Sequence, residues 1–211
     1  MSEKNQFILK WAVAFICLSG FLFLAKEVCC NEKLQFDEAV YNAVSKFLIS
    51  DFATPIVKVI TNLGAAIFLI PLTITLLVLI KDKKIGLSIT ANLVIVTLLN
   101  QLLKYIFQRP RPTGFRLVEE TGFSFPSGHS MVNMAFYGYL IYLICRYVKN
   151  KRLKYTLTGL LSILICSIGI SRIYLGVHYA SDVAAGFLIS IFYLVIYISA
   201  VNRVSVNKES R

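Results

Sequence analysis

Six stretches of this chain run free of Asp, Glu, Lys and Arg for long enough to approach or reach the roughly 20 residues that cross a bilayer as a helix. They are residues 11–25, 59–80, 85–103, 121–145, 155–171 and 183–202. In lipid each backbone polar group must find its partner within the protein, so such stretches fold as helices and bundle together. The shortest extend into their flanks, because Lys10 and Lys154 can bury their stems and keep their ammonium groups at the interface. With 57% hydrophobic residues and a mean hydropathy of +0.70, the expected solvent is lipid. No repeat or linker divides residues 1–211, which read as a single integral-membrane domain: an all-α bundle of six transmembrane helices.

A net charge of +11 is an excess of the kind that nucleic-acid-binding chains carry. Here the cations sit in short loops between apolar spans and form no basic helix or tail, so no nucleic-acid partner is expected. Membrane topology accounts for them instead. Lys4, Lys10, the 81–84 turn, the 146–154 loop and the C-terminal tail hold most of the Lys and Arg on one side. That side is expected to be the cytoplasm, with both termini inside and the protein a multi-pass resident of the plasma membrane. The outer face is left with a smaller set that includes Lys104, Arg109, Arg111, Arg116 and Arg172.

The first span has the short basic flank and apolar run of a secretory signal, but Ala25-Lys26-Glu27 offers no small-residue cleavage site, so it reads as an uncleaved helix. Cys17, Cys145 and Cys166 read as small buried hydrophobes, and an odd cysteine count without CxxC spacing argues against a metal site. Between the first two spans, Phe36, Ala39, Val40, Ala43, Val44, Phe47 and Leu48 recur at helical spacing, with Asp37, Glu38 and Lys46 among the polar positions. This is the pattern of an amphipathic helix on the outer interface, either capping the bundle or gating lipid entry. Pro71 is expected to adjust packing or kink the second span, and Ala184-Ala185-Gly186 to pack helices within the bundle.

Charges so close to apolar spans are costly and are read first as functional. The chain has two histidines, and each falls in a cluster suited to phosphate: Pro126-Ser127-Gly128-His129, and Ser171-Arg172 followed by His178 and Asp182. Lys104 and Arg111-Pro112 add cations upstream, and the order of spans brings all three clusters to the outer face. A phosphate ester carries charge on its nonbridging oxygens, and this charge must be held while the leaving bond breaks. Arg111 and Arg172 each offer a planar fork, and Lys104 a point charge. Ser127 and Gly128 precede a helix whose free N–H groups and positive end suit an anion, and the glycine allows close approach. His178 and Asp182 are four apart, so the carboxylate can fix the tautomer and leave the other ring nitrogen free to attack phosphorus. His129, from another helix, can protonate the departing alkoxide and later activate water. The scheme uses no metal and no cofactor. Arg109 and Arg116 read as interfacial anchors, and Glu119 and Glu120 as solvated loop charges or, as the second reading, as charges that repel or orient a head group.

Lys104, six residues, Arg111-Pro112, then Pro126-Ser127-Gly128-His129, then Ser171-Arg172, five residues, His178, three residues, Asp182: this resembles the tripartite signature of the type 2 phosphatidic acid phosphatase (PAP2) superfamily. Every fixed position is present. Within the superfamily the chain looks most like small bacterial six-helix members that act on phosphatidylglycerophosphate and undecaprenyl diphosphate. The resemblance implies a metal-independent site facing outward, with His178 as nucleophile, Asp182 as its partner and His129 as acid then base. Lys104, Arg111, Ser127, Gly128 and Arg172 would hold the phosphate, with Ser171 beside them. The expected function is hydrolysis of a phosphorylated membrane lipid, those two or phosphatidic acid, through a phosphohistidine. Two alternatives stay open: transfer of the phosphoryl group to a second lipid or sugar, and a non-catalytic phospholipid-binding module.

Overall fold

Three side chains mark where long helices begin. The Asp82 carboxylate accepts from the Lys84 N–H at 2.9 Å, the Ser127 hydroxyl oxygen from the Ser130 N–H at 3.5 Å, and the Asn150 carbonyl from the Leu153 N–H at 3.1 Å. The structure is a computed structural model that describes residues 2–30 and 34–209, and among these residues it has eight helices and no strand. In chain order they are α1 (Glu3–Cys30), α2 (Gln35–Phe47), α3 (Ala53–Asn62), α4 (Ala66–Leu79), α5 (Lys83–Phe107), α6 (Gly128–Tyr147), α7 (Lys151–Tyr174) and α8 (Ala180–Glu209). The all-α expectation holds.

Among the described residues, four helices are long and apolar enough to cross a membrane: Lys4–Cys30, Lys83–Phe107, Lys151–Tyr174 and Ala180–Arg203. The pair α3 and α4, bent by 45° at a short break, makes a fifth if it is one span. The bend falls at residues 63–65, not at Pro71, which α4 carries within its length. Backbone carbonyls freed by this break are met by α6: Asn133 Nδ2 donates to Gly64 O at 3.0 Å and the Tyr137 hydroxyl to Leu63 O at 2.7 Å. Side chains from a neighbouring helix thus satisfy groups that lipid could not.

α6 starts at Gly128, beside His129, and lies at the centre, packed on α5, α7 and α8. Its inward face carries Met131, Ala135, Phe136, Tyr137 and Tyr139 into the main core. Polar groups bind this core as well: Asn92 Nδ2 donates to Ala135 O at 3.0 Å, Tyr139 to Ser88 Oγ at 2.8 Å, and Ser190 to Met131 O at 2.7 Å. Interhelical bonds of this type are worth roughly 0.6 kcal/mol each inside a membrane bundle. A Cβ built on Gly186 would lie 3.0 Å from Ser127 O and 3.1 Å from Met131 N, so α8 meets the backbone of α6 directly there. The 184–186 small-residue run therefore packs within the chain. Cys145 and Cys166 are exposed rather than buried; only the Cys17 expectation holds, and all five cysteines are free.

α2 forms where the periodicity placed it, with one correction. Asp37, assigned to its polar face, is 3% exposed. The helix turns Asp37, Val40, Tyr41 and Val44 toward the ends of α7 and α8 and leaves Phe36, Phe47 and Leu48 exposed. It is thus seated partly by a charge, a feature that apolar periodicity does not encode.

After α7 the chain turns at Gly176, whose φ is +71°, toward His178. A Cβ at Gly176 would stand 2.2 Å from Phe115 O. Gly176→Ala is therefore expected to destabilise the protein by more than about 1 kcal/mol, from left-handed strain and the clash together. Gly159→Ala, on an exposed stretch of α7 with nothing within 4 Å, should be neutral or mildly stabilising. Thermal unfolding in detergent compares the two; equal melting temperatures would contradict the assignment.

Candidate active site

α5 ends at Gln108 in a left-handed conformation (φ 44°), and the chain leaves through Arg109-Pro110-Arg111-Pro112 without helix. This exit carries two arginines into different surroundings. Arg111 reaches the rim of a cavity of about 330 Å³ that is also lined by Lys104, Glu120, Gly128, His129 and His178. Arg109 goes beneath it. The sequence-predicted histidines from two separate clusters thus share one cavity.

Asp182 lies in the first turn of α8, fully buried. Its Oδ2 accepts from the Tyr179 N–H at 2.9 Å, reaching back as an acidic residue in a helix's first turn commonly does. The same oxygen accepts from the Ser124 hydroxyl at 2.5 Å and faces His178 Nδ1 at 3.4 Å, with Ser124 Oγ 3.2 Å from Nδ1. Capping and pairing with histidine are therefore one arrangement, even though His178 itself precedes the helix. On the other side of the ring, Arg111 Nη1 lies 3.2 Å from Nε2. A guanidinium only donates, so Nε2 accepts, and the proton of the neutral ring is assigned to Nδ1, facing the carboxylate. Burial pulls the His178 pKa down to about 4, outweighing the hydrogen bond and charge of Asp182, which pull it up.

Arg111 is held by the carbonyls of Gly122 (3.0 Å), Thr121 (2.9 Å) and Val177 (3.1 Å), which fix its fork over the cavity. Arg172, at the end of α7, is buried; its Nη1 donates to Thr61 Oγ1 at 2.8 Å, beside the α3–α4 break, and its Nη2 to Glu120 Oε1 at 2.5 Å. Glu120 Oε2 lies 3.8 Å from Arg111. The residue read as a solvated loop charge instead spans both arginines. Burial would raise its carboxyl pKa, but Arg172 by charge and hydrogen bond, then Arg111 by charge, hold it below the usual carboxylate range. Lys104 donates to Phe123 O.

The remaining predicted residues fall as follows. Ser127 is fully buried; its hydroxyl caps α6 and its N–H donates to Asp182 O at 3.0 Å, so it ties α6 to α8. Gly128 lines the cavity, and a Cβ there would be 3.0 Å from Asn100 Oδ1. Ser171 turns back to Ile168 O within α7 at 2.6 Å. Arg116 folds onto Pro112 O of its own loop. Among the described residues, no group of three His, Cys, Asp or Glu side chains is placed to hold a metal ion.

Arg109 is not an interfacial anchor. It is 2% exposed, its Nη1 lies 2.6 Å from Asp182 Oδ1 and 2.8 Å from Ser181 Oγ, and its Nη2 lies 2.9 Å from Asp37 Oδ2. Its guanidinium also sits over the Tyr179 ring, 4.0 Å from the centroid. Arg109, Asp37, Ser124, Thr61 and Glu120 were all missed from sequence. One signal was available: a carboxylate and an arginine near an apolar bundle end each need a counter-charge.

A family profile described as the PAP2 superfamily matches residues 85–205. The chain is 34% identical over 184 residues to phosphatidylglycerophosphatase B of Bacillus subtilis (strain 168), covering 83% of this chain and 89% of that protein. It is 30% identical over 126 residues to an undecaprenyl-diphosphatase of Sulfolobus acidocaldarius, 57% of either chain. Its fold matches the crystal structure of a transmembrane PAP2 type phosphatidylglycerolphosphate phosphatase from Bacillus subtilis with a TM-score of 0.78 and 28% identity, over 90% of this chain and 96% of that one. Aquifex aeolicus LpxE matches in fold with a TM-score of 0.66 and 23% identity, over 80% of this chain and 98% of that one.

Two outcomes follow from the geometry. With His129→Gln, His178 is the only histidine left, and its ¹⁵N shifts in detergent should keep the neutral, Nδ1-protonated pattern down to about pH 4 to 5, because burial disfavours the charged ring; protonation midway at 6.5 would contradict a dry pocket. Any anion bound between Arg111 and Arg172 must displace Glu120. Glu120→Gln should therefore strengthen vanadate binding by about threefold to tenfold, roughly the worth of an ion pair with one partly exposed partner; weaker binding would show that Glu120 helps hold the anion.

Proposed function

This chain belongs to the PAP2 superfamily, and on that premise we propose that it is a membrane lipid phosphate phosphatase with His178 as its nucleophile. One observation carries the reading: His178 Nε2 is 3.2 Å from Arg111, Nδ1 faces Asp182, and the ring borders the cavity that His129 and Lys104 also line. Arg111, Arg172 and Lys104 hold the phosphate oxygens, together with the first-turn N–H groups of α6 at Gly128 and His129. Nε2 gives its lone pair to phosphorus as the bond from phosphorus to the lipid oxygen breaks, and that oxygen takes a proton from His129. Asp182 balances the charge that appears on the phosphorylated ring. Water then bonds to phosphorus while giving a proton to His129, the N–P bond breaks with its electrons returning to Nε2, and inorganic phosphate leaves. The side-chain cations carry the charge of the transferring group, so the scheme uses no metal ion and no cofactor.

Phosphatidylglycerophosphate is the first candidate substrate, supported by the name of the 34% identical relative, and undecaprenyl diphosphate the second. Phosphatidic acid completes the set. The protein is a multi-pass membrane protein, and residues 1–211 are read as one domain. Six spans are proposed: α1, the α3–α4 pair, α5, α6, α7 and α8, with α2 on the outer interface. α6 is less apolar than the others, yet α5, α7 and α8 cover it, which lowers its need for a lipid-compatible surface. Lys10 reaches Ser199 at 2.9 Å and Arg146 reaches Asn202 at 2.6 Å, gathering the basic ends of α1, α6 and α8 away from the cavity. The positive-inside rule argues that this end is cytoplasmic and the site extracytoplasmic.

The test is phosphate release by purified protein in detergent with EDTA, from the three lipids in parallel. His178→Ala should reduce release by at least about 10³-fold, the scale on which removing a nucleophile acts. Inhibition by EDTA that Mg²⁺ restores would overturn the metal-free scheme. Label passed to a second lipid with little free phosphate would point to phosphotransfer, and lipid affinity without turnover to a binding module.

A further inference from the structure

Behind Asp182 lie two buried charges, Arg109 and Asp37, that the mechanism above does not use. Arg109 donates from Nη1 to Asp182 Oδ1 at 2.6 Å and from Nη2 to Asp37 Oδ2 at 2.9 Å. Asp37 is locked in turn: its Oδ1 accepts from the Ser181 N–H at 2.7 Å and its Oδ2 from the Ser181 hydroxyl at 2.8 Å. All three charged side chains are at most 3% exposed. Two belong to no motif, and Asp37 comes from α2, 144 positions before Ser181.

We propose that Arg109 and Asp37 are positioning residues for the His178–Asp182 pair, so that the seating of α2 sets the orientation and charge of the nucleophile. The inference rests on the phosphatase reading and deepens it. A carboxylate in this apolar setting needs a counter-charge. Arg109 supplies one and fixes Oδ1, which leaves Oδ2 to face Nδ1. Arg109 alone, however, would also cancel the negative charge that Asp182 must offer when Nε2 bonds to phosphorus and the ring becomes cationic. Asp37 removes that conflict. Asp37, Arg109 and Asp182 together carry one net negative charge next to Nδ1, and this becomes neutral as the cationic ring forms. Because Asp37 arrives on α2, the pair is complete only when that helix is docked.

The experiment uses the full-length protein in detergent, comparing wild type, Asp37→Asn, Asp37→Glu, Arg109→Met and the double variant Asp37→Asn/Arg109→Met. Turnover of the lipid is the first readout, with His178→Ala as control. Asp37→Asn should lower kcat by roughly tenfold or more, on the scale of lost second-layer partners of a reactive group, with KM changed less than about threefold. Asp37→Glu should retain more of kcat than Asp37→Asn. The double variant restores one net negative charge and should turn over faster than either single variant. The second readout needs no substrate: in the His129→Gln background, Asp37→Asn should move the His178 Nδ1–H proton resonance upfield as the hydrogen bond to Asp182 weakens. Ser181→Ala removes the hydroxyl donor to Asp37 Oδ2, keeps the backbone N–H and strands no charge, and should show the same split at smaller size should the charge variants fail to fold. An unchanged kcat in Asp37→Asn, additive losses in the double variant or an unmoved resonance would each overturn the proposal. Absence of wild-type turnover would count against the phosphatase reading instead, leaving the resonance to decide this one.

Discussion

A carboxylate with no exposed surface organises one end of this bundle. Asp182 receives hydrogen bonds from Ser124 and the Tyr179 N–H, pairs with Arg109 and faces His178, while its backbone carbonyl takes the Ser127 N–H. These contacts join the two ends of the α5–α6 loop to the turn before α8 and to that helix's first residues. An ion so deeply buried is tolerable only when each lone pair is met, and meeting them brings these segments to one point. The cavity above it, with both histidines on its wall, is a result of that convergence.

The same requirement acts away from the charges. The α3–α4 break leaves carbonyls that Asn133 and Tyr137 satisfy, and it sets Thr61 against Arg172. α6 supplies these donors, and α5, α7 and α8 pack around it.

The sequence was legible where chemistry is repeated or spaced by a fixed count. Apolar runs marked α5 and α7 to within four residues of both observed ends and the other spans more loosely, helical spacing of apolar residues marked α2, and the three motifs held Lys104, Arg111, His129 and His178, which line one cavity, with Asp182 beside His178 and Arg172 paired to Glu120. What it hid were single long-range partners. Arg109 sits two residues from Arg111 and looks like its duplicate, yet Arg111 lines the cavity while Arg109 pairs with Asp182 and Asp37. Asp37 fits the polar face of an amphipathic helix, and only the tertiary fold shows that this position faces Arg109. Glu120, Ser124 and Thr61 stand alone in loops or at a helix end, where no period reports a neighbour. Ser127 was legible as a helix start, although its hydroxyl is turned inward to cap it.

Glu120 has a bearing on departure as well as arrival. An anion leaving between two arginines in a partly dry pocket would strip both of their counter-charge, and such a site tends to keep what it holds. Glu120 is tethered a few ångströms away and is already ionised, so it is present at a high local concentration that no free anion matches. Leaving is then an exchange of one carboxylate for one anion, with the charge on Arg172 never left bare, and the resting site is a reset state rather than an empty one.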